Sequence, residues 1–123
     1  MKILNTGEVV YVHKMGIIEH WGIVTHDGDI ISASKKLGKV VKQTLHEFCE
    51  GDTSKVRSKG YLVKGVSIND VLYKAYSMLG KPYDLLKHNC QHFVNSCYGL
   101  KGSPQLNIAI GFSILILFFY MKK

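Results

Sequence analysis

A chain of 123 residues with 46% hydrophobic content supports one compact core and excludes two domains with separate cores. Its net charge of +7 favours anionic surfaces as partners. Its three cysteines are an odd number, and Met1-Lys2-Ile3-Leu4-Asn5 lacks the apolar core of a signal peptide, so a disulfide framework is not expected and a reducing compartment is.

The first strand signal is Glu8 to Val12, which alternates and is rich in β-branched residues. Trp21 to Thr25 and Ile30 to Ser34 follow, separated by His26-Asp27-Gly28-Asp29, whose Asp-Gly pair marks a turn. The three read as an antiparallel meander. Lys39 to Leu45 and Tyr61 to Val66 are further strand candidates, with the polar stretch Glu50 to Lys59 between them read as a mobile loop. Ser67-Ile68-Asn69-Asp70 has capping-box spacing with Asp in place of Glu, and Leu72, Ala75, Tyr76 and Leu79 then keep helical periodicity until Gly80. Asn89 caps a second, short amphipathic helix that begins at Cys90.

The placement of Cys90 is the chief chemical signal. A helix N-terminus offers unpaired N–H groups and the positive end of the macrodipole, which favour thiolate over thiol and can hold an oxyanion. His20, far upstream at the mouth of the Trp21 to Thr25 run, is the candidate general base, because nucleophile and base need to meet in space and not in sequence. Cys97, on the same helix face, reads as core; Cys49 has no assigned partner. No Cys/His spacing matches a zinc site, so neither metal nor cofactor is expected.

Asn89-Cys90-Gln91-His92-Phe93, with His20-Trp21 upstream and Gly7-Glu8-Val9-Val10 before it, resembles the Asn-Cys block, His-Trp box and leading strand of the lecithin:retinol acyltransferase family. The resemblance runs in order from about Thr6 to Gln105. It implies an α+β fold of circularly permuted papain-like type, an antiparallel sheet followed by the nucleophile-bearing helix. It implies thiol-dependent acyl transfer from a membrane phospholipid, with Cys90 as nucleophile forming a thioester, His20 as base and the backbone N–H groups of Cys90 and Gln91 as oxyanion donors. Gln91 stands where the family motif is acidic, and Ser32 where the family has its second histidine, so Ser32 is the candidate for orienting His20. A thiol peptidase or amidase of the same superfamily, and a non-catalytic adaptor keeping the His and Asn-Cys boxes, are the alternatives.

From Leu106 to Met121 the sequence is apolar apart from Asn107 and Ser113, and it closes on Lys122-Lys123. About sixteen helical residues span roughly 24 Å against a hydrocarbon core of about 30 Å, a thin span. The expected organisation is therefore a catalytic domain over 1–105 in the cytoplasm and a membrane anchor over 106–123. Lysines spread through Lys35-Lys36, Lys39, Lys42, Lys55, Lys59 and Lys64 suit an anionic membrane surface, and no nucleic-acid module is visible.

Overall fold

The computed structural model describes residues 3–84 and 89–100. Strands β1 (Val9–Lys14), β2 (Ile18–Val24), β3 (Ile30–Ser34), β4 (Lys39–Gln43) and β5 (Arg57–Gly60) form one antiparallel sheet in the order β4-β3-β2-β1-β5. A single-turn helix α1 (Leu45–Phe48) follows β4, and α2 (Ile68–Ser77) and α3 (Cys90–Cys97) follow β5. The expected mixed α+β class and antiparallel meander hold at this level.

Strand alternation sorts the side chains onto two faces. Val9, Trp21, Ile23, Ile31, Ala33 and Val40 join Val71, Leu72 and Ala75 of α2 and Phe93, Val94 and Cys97 of α3 in one core. On the other face Val10, Val12, Val24 and Ile30 pack with Phe48, Cys49 and Val56. The sheet is thus covered by two helices on one side and by the short stretch from α1 to β5 on the other.

Capping decides both helix starts. Ser67 accepts a hydrogen bond from Asp70 N at 3.3 Å, as its spacing predicts, and Asn89 accepts from Gln91 N and His92 N at 3.0 and 2.9 Å. The α3 C-terminus is tied down by the Tyr98 hydroxyl, which donates to the Gly7 carbonyl.

Two expectations are corrected. Tyr61 to Val66 is not a strand: Leu62, Val63 and Val66 pack sideways against the helical core, so their apolar character serves an irregular segment. The fifth strand is instead Arg57–Gly60, inside the stretch read as a mobile loop. It pairs only with β1 and its side chains are mostly exposed, so it carries no apolar alternation to announce it. Residues 101–123, with the segment expected to anchor the chain, lie outside the described residues, among which no helix is long and apolar enough to cross a membrane.

β2 lies tight against its neighbours at Gly22. A Cβ there meets Ile30 Cγ2 at 2.4 Å, Phe48 Cε1 at 3.1 Å and the Ile31 carbonyl oxygen at 3.2 Å, and none of the three lies at the end of a flexible side chain. Gly22→Ala is therefore expected to lower stability by about 1–3 kcal/mol through overpacking. Urea unfolding measures it, and a midpoint equal to wild type would show that the sheet gives way at no cost.

Candidate functional site

Val24 N donates to the Glu8 carbonyl, so the even-numbered residues of β2 turn their backbone groups towards β1 and the odd-numbered ones turn theirs towards β3. The β2–β3 ladder contains only Ile23↔Ile31 and Val24↔Ile30, which leaves Glu19 and Trp21 facing an open seam. Cys90, the first residue of α3, fills it. Its thiol donates to the Glu19 carbonyl at 3.7 Å, and the N–H groups of Trp21, Cys90 and Gln91 face the sulfur. Burial pushes the thiol above its ordinary range, and those N–H groups offset the push without cancelling it. The resting group is therefore a thiol.

His20 lies next to this seam, but its ring does not. It stacks on Phe48 with centroids 5.0 Å apart and planes at 27°, on the sheet face opposite α3. Thus the Cys90 thiol meets the peptide joining Glu19 to His20 and makes no hydrogen bond with the imidazole. Ser32 shares the His20 face and is fully buried, and its hydroxyl has no hydrogen-bond partner. The bond expected between Ser32 and His20 is not formed in this arrangement. Gln91 is buried with its backbone N–H held by the Asn89 cap, and the oxygen of its side chain is unpartnered.

Beside the thiol stands a group that the sequence did not reveal. Between Val9↔Gly60 and Val10↔Ser58 the β1–β5 register shifts, and Lys59 is the extra residue. Such a bulge re-aims a side chain. The Lys59 ammonium crosses β1, lying 4.4 Å from the Tyr11 ring centroid and 5.0 Å from that of Trp21, and ends 3.1 Å from Glu19 Oε1. The Trp21 indole N–H donates to the same oxygen at 2.8 Å. Burial pulls the Glu19 carboxyl upward, but the indole and the ammonium outweigh it and hold the group below its ordinary range. Glu19, Trp21, Tyr11 and Lys59 thus form a charged and aromatic patch on the thiol's side of the sheet. The only advance signal was Trp21 itself.

A shallow recess of about 250 Å³, lined by Tyr61, Val63, Lys64, Gly65, Val66 and Ile68, lies at the start of α2 and includes none of these groups. Among the described residues no cluster of His, Cys, Asp or Glu is placed to hold a metal.

The family model for lecithin retinol acyltransferase matches residues 2–102, a range that takes in His20, Ser32 and Cys90. The chain belongs to this family. It is 26% identical over 125 residues to human phospholipase A and acyltransferase 2, an alignment covering 85% of this chain and 76% of that protein. Membership in the lecithin retinol acyltransferase family supports a function of the acyltransferase or phospholipase type at family level.

In this family member the environment of His20 has a measurable consequence. Burial, and secondarily the Lys14 ammonium, lower its pKa from 6.5 to about 4, with Glu50 acting weakly the other way. Between those values the unfolded chain binds a proton that the folded chain refuses. Stability is therefore full above pH 6.5 and falls as pH drops towards 4, by on the order of 3 kcal/mol. Urea unfolding at pH 7, 6 and 5 is expected to show this slope in wild type and lose it in His20→Phe, which keeps the stack on Phe48. The lowered carboxyls Glu19 and Glu50 add their own losses only below about 4.5.

Proposed function

We propose that the chain is a thiol-dependent phospholipid acyl hydrolase or acyltransferase whose nucleophile is Cys90. The observation carrying this reading is the Cys90 thiol at the Asn89-capped start of α3, in contact with the backbone of the strand that bears His20. The chain order, strands first and cysteine helix last, agrees with a circularly permuted papain-like arrangement. An acyl donor fits the family and the human relative's name.

In this reading His20 acts as base after its ring turns about χ1 from Phe48 towards the seam. Its low pKa keeps it neutral at pH 7 and able to accept a proton. Once the ring has turned, Ser32, with a buried hydroxyl that has no other partner, accepts the second ring N–H. His20 takes the thiol proton, and the sulfur attacks the ester carbonyl. The Cys90 N–H holds the oxyanion, joined by the Gln91 N–H once that leaves the Asn89 side chain that caps it at rest. As the intermediate collapses, the glycerol oxygen leaves with the proton from His20, and a thioester remains. Water then yields a free fatty acid, whereas an amine yields an amide, and Cys90 recovers its proton. Residues 106–123 act in this scheme as the anchor that keeps a cytoplasmic domain beside its substrate, a role supported by their apolar composition.

One observation favours a second reading. A histidine stacked on Phe48 and turned from the thiol suits a non-catalytic adaptor. Incubating the full chain with acyl-labelled phosphatidylcholine separates the two. Hydroxylamine-labile label is expected on wild type and absent from Cys90→Ala. Equal label on both would remove Cys90 from the mechanism, and no label on either would favour the peptidase or the adaptor.

A further inference from the structure

β1 and β3 run towards the same end of the sheet, so the β1–β2 and β3–β4 turns are both at that end, where Glu19 at the start of β2 meets the thiol. The opposite end carries Asp27 and Asp29 in the β2–β3 turn. At the thiol end large apolar side chains project into solvent: Met15 is 89% exposed, Ile17 83% and Leu37 49%. Lys35, Lys36 and Lys39 are exposed around Leu37, and none of them is in a salt bridge among the described residues.

Met15 is the informative residue. Its φ of 51° puts it in the left-handed region, where a hairpin turn favours Gly, Asn or Asp. Methionine there costs backbone energy, and a side chain so exposed recovers none of it by packing within the fold. Isolated apolar residues on a surface are ordinary, but three on neighbouring turns beside unpaired lysines at a single end are a pattern that interfacial binding uses.

We propose that this end of the sheet is a docking surface for anionic phospholipid bilayers. Met15, Ile17 and Leu37 enter the interfacial layer, and Lys35, Lys36 and Lys39 meet the lipid phosphates. Charge complementarity selects the partner, since a lysine rim attracts anionic lipid and the aspartate turn faces away from it. The inference deepens the proposed function, on which it rests for its use: docking in this orientation presents the seam holding Cys90 to the membrane.

The test is tryptophan quenching on full-length Ile17→Trp, with vesicles of phosphatidylcholine and phosphatidylserine brominated in the acyl chains. The native Trp21 is the chain's single tryptophan and is 6% exposed within the core, so wild type provides the silent control. The introduced indole is expected to shift to the blue and lose at least half its emission. Adding Lys35→Glu with Lys36→Glu, or raising salt, should reverse most of that loss. Protein that sediments with vesicles while its indole stays unquenched is held elsewhere, for example by residues 106–123, and overturns the proposal. So does an absence of vesicle binding, and so does a blue shift without lipid that grows with protein concentration, which would mark a second copy as the occupant. Because the readout needs no turnover, quenching that persists while acyl labelling of Cys90 fails would sink the enzymatic reading alone.

Discussion

Phe93 and Val94, fully buried against Trp21, Ile23 and Ala33, decide where the thiol stands. Their burial contributes several kcal/mol of apolar transfer, far more than any polar contact at the site. It seats α3 on the sheet with its first residue over the seam between β2 and β3. The Asn89 cap then fixes where the helix begins, and so which residue occupies that position. A shift by one residue would offer Asn89 or Gln91 to the Glu19 carbonyl instead of a thiol.

The patch next to Cys90 follows a different logic. A partly exposed ion pair such as Lys59–Glu19 is worth about 0–1 kcal/mol by itself. Contacts with the two rings add about 0.5–1 kcal/mol each where water still reaches the ammonium. No single partner holds Lys59 firmly; the bulge that aims it and its three partners together do. The arrangement depends on an edge strand with few stabilising contacts, so it is set by backbone irregularity more than by energy stored in one bond.

Much of the fold was readable from the chain. The Asp27-Gly28 turn and the apolar runs on either side marked one hairpin, Ser67 and Gly80 bracketed α2, and Asn89 marked the start of α3. What escaped was structure without a periodic signal. Arg57–Gly60 is polar because its side chains face water, while Tyr61 to Val66 looks like a strand because it packs its apolar side chains without one. At the site, the position of Cys90 at a helix start was readable because its cap, Asn89, immediately precedes it. The orientation of His20 was readable in principle. Alternation puts His20 opposite Trp21, and once Trp21 packs beneath α3 the imidazole has to start on the far face. Lys59 and Glu19 were not readable, since a bulge leaves no mark in composition.

The narrow β2–β3 ladder also has a mechanical meaning. β1 and β2 share six paired positions and β3 and β4 share five, but β2 and β3 share two, so the sheet is two stiff hairpins joined along a short weld. Bending strain collects where the fewest backbone bonds resist it. The line of fewest backbone pairs therefore passes beside the cysteine, and α3, which packs on both β2 and β3, bridges it. What joins the two hairpins at that end is therefore the packing of α3 and not the sheet, so the cysteine stands where side chains do the work of missing backbone bonds.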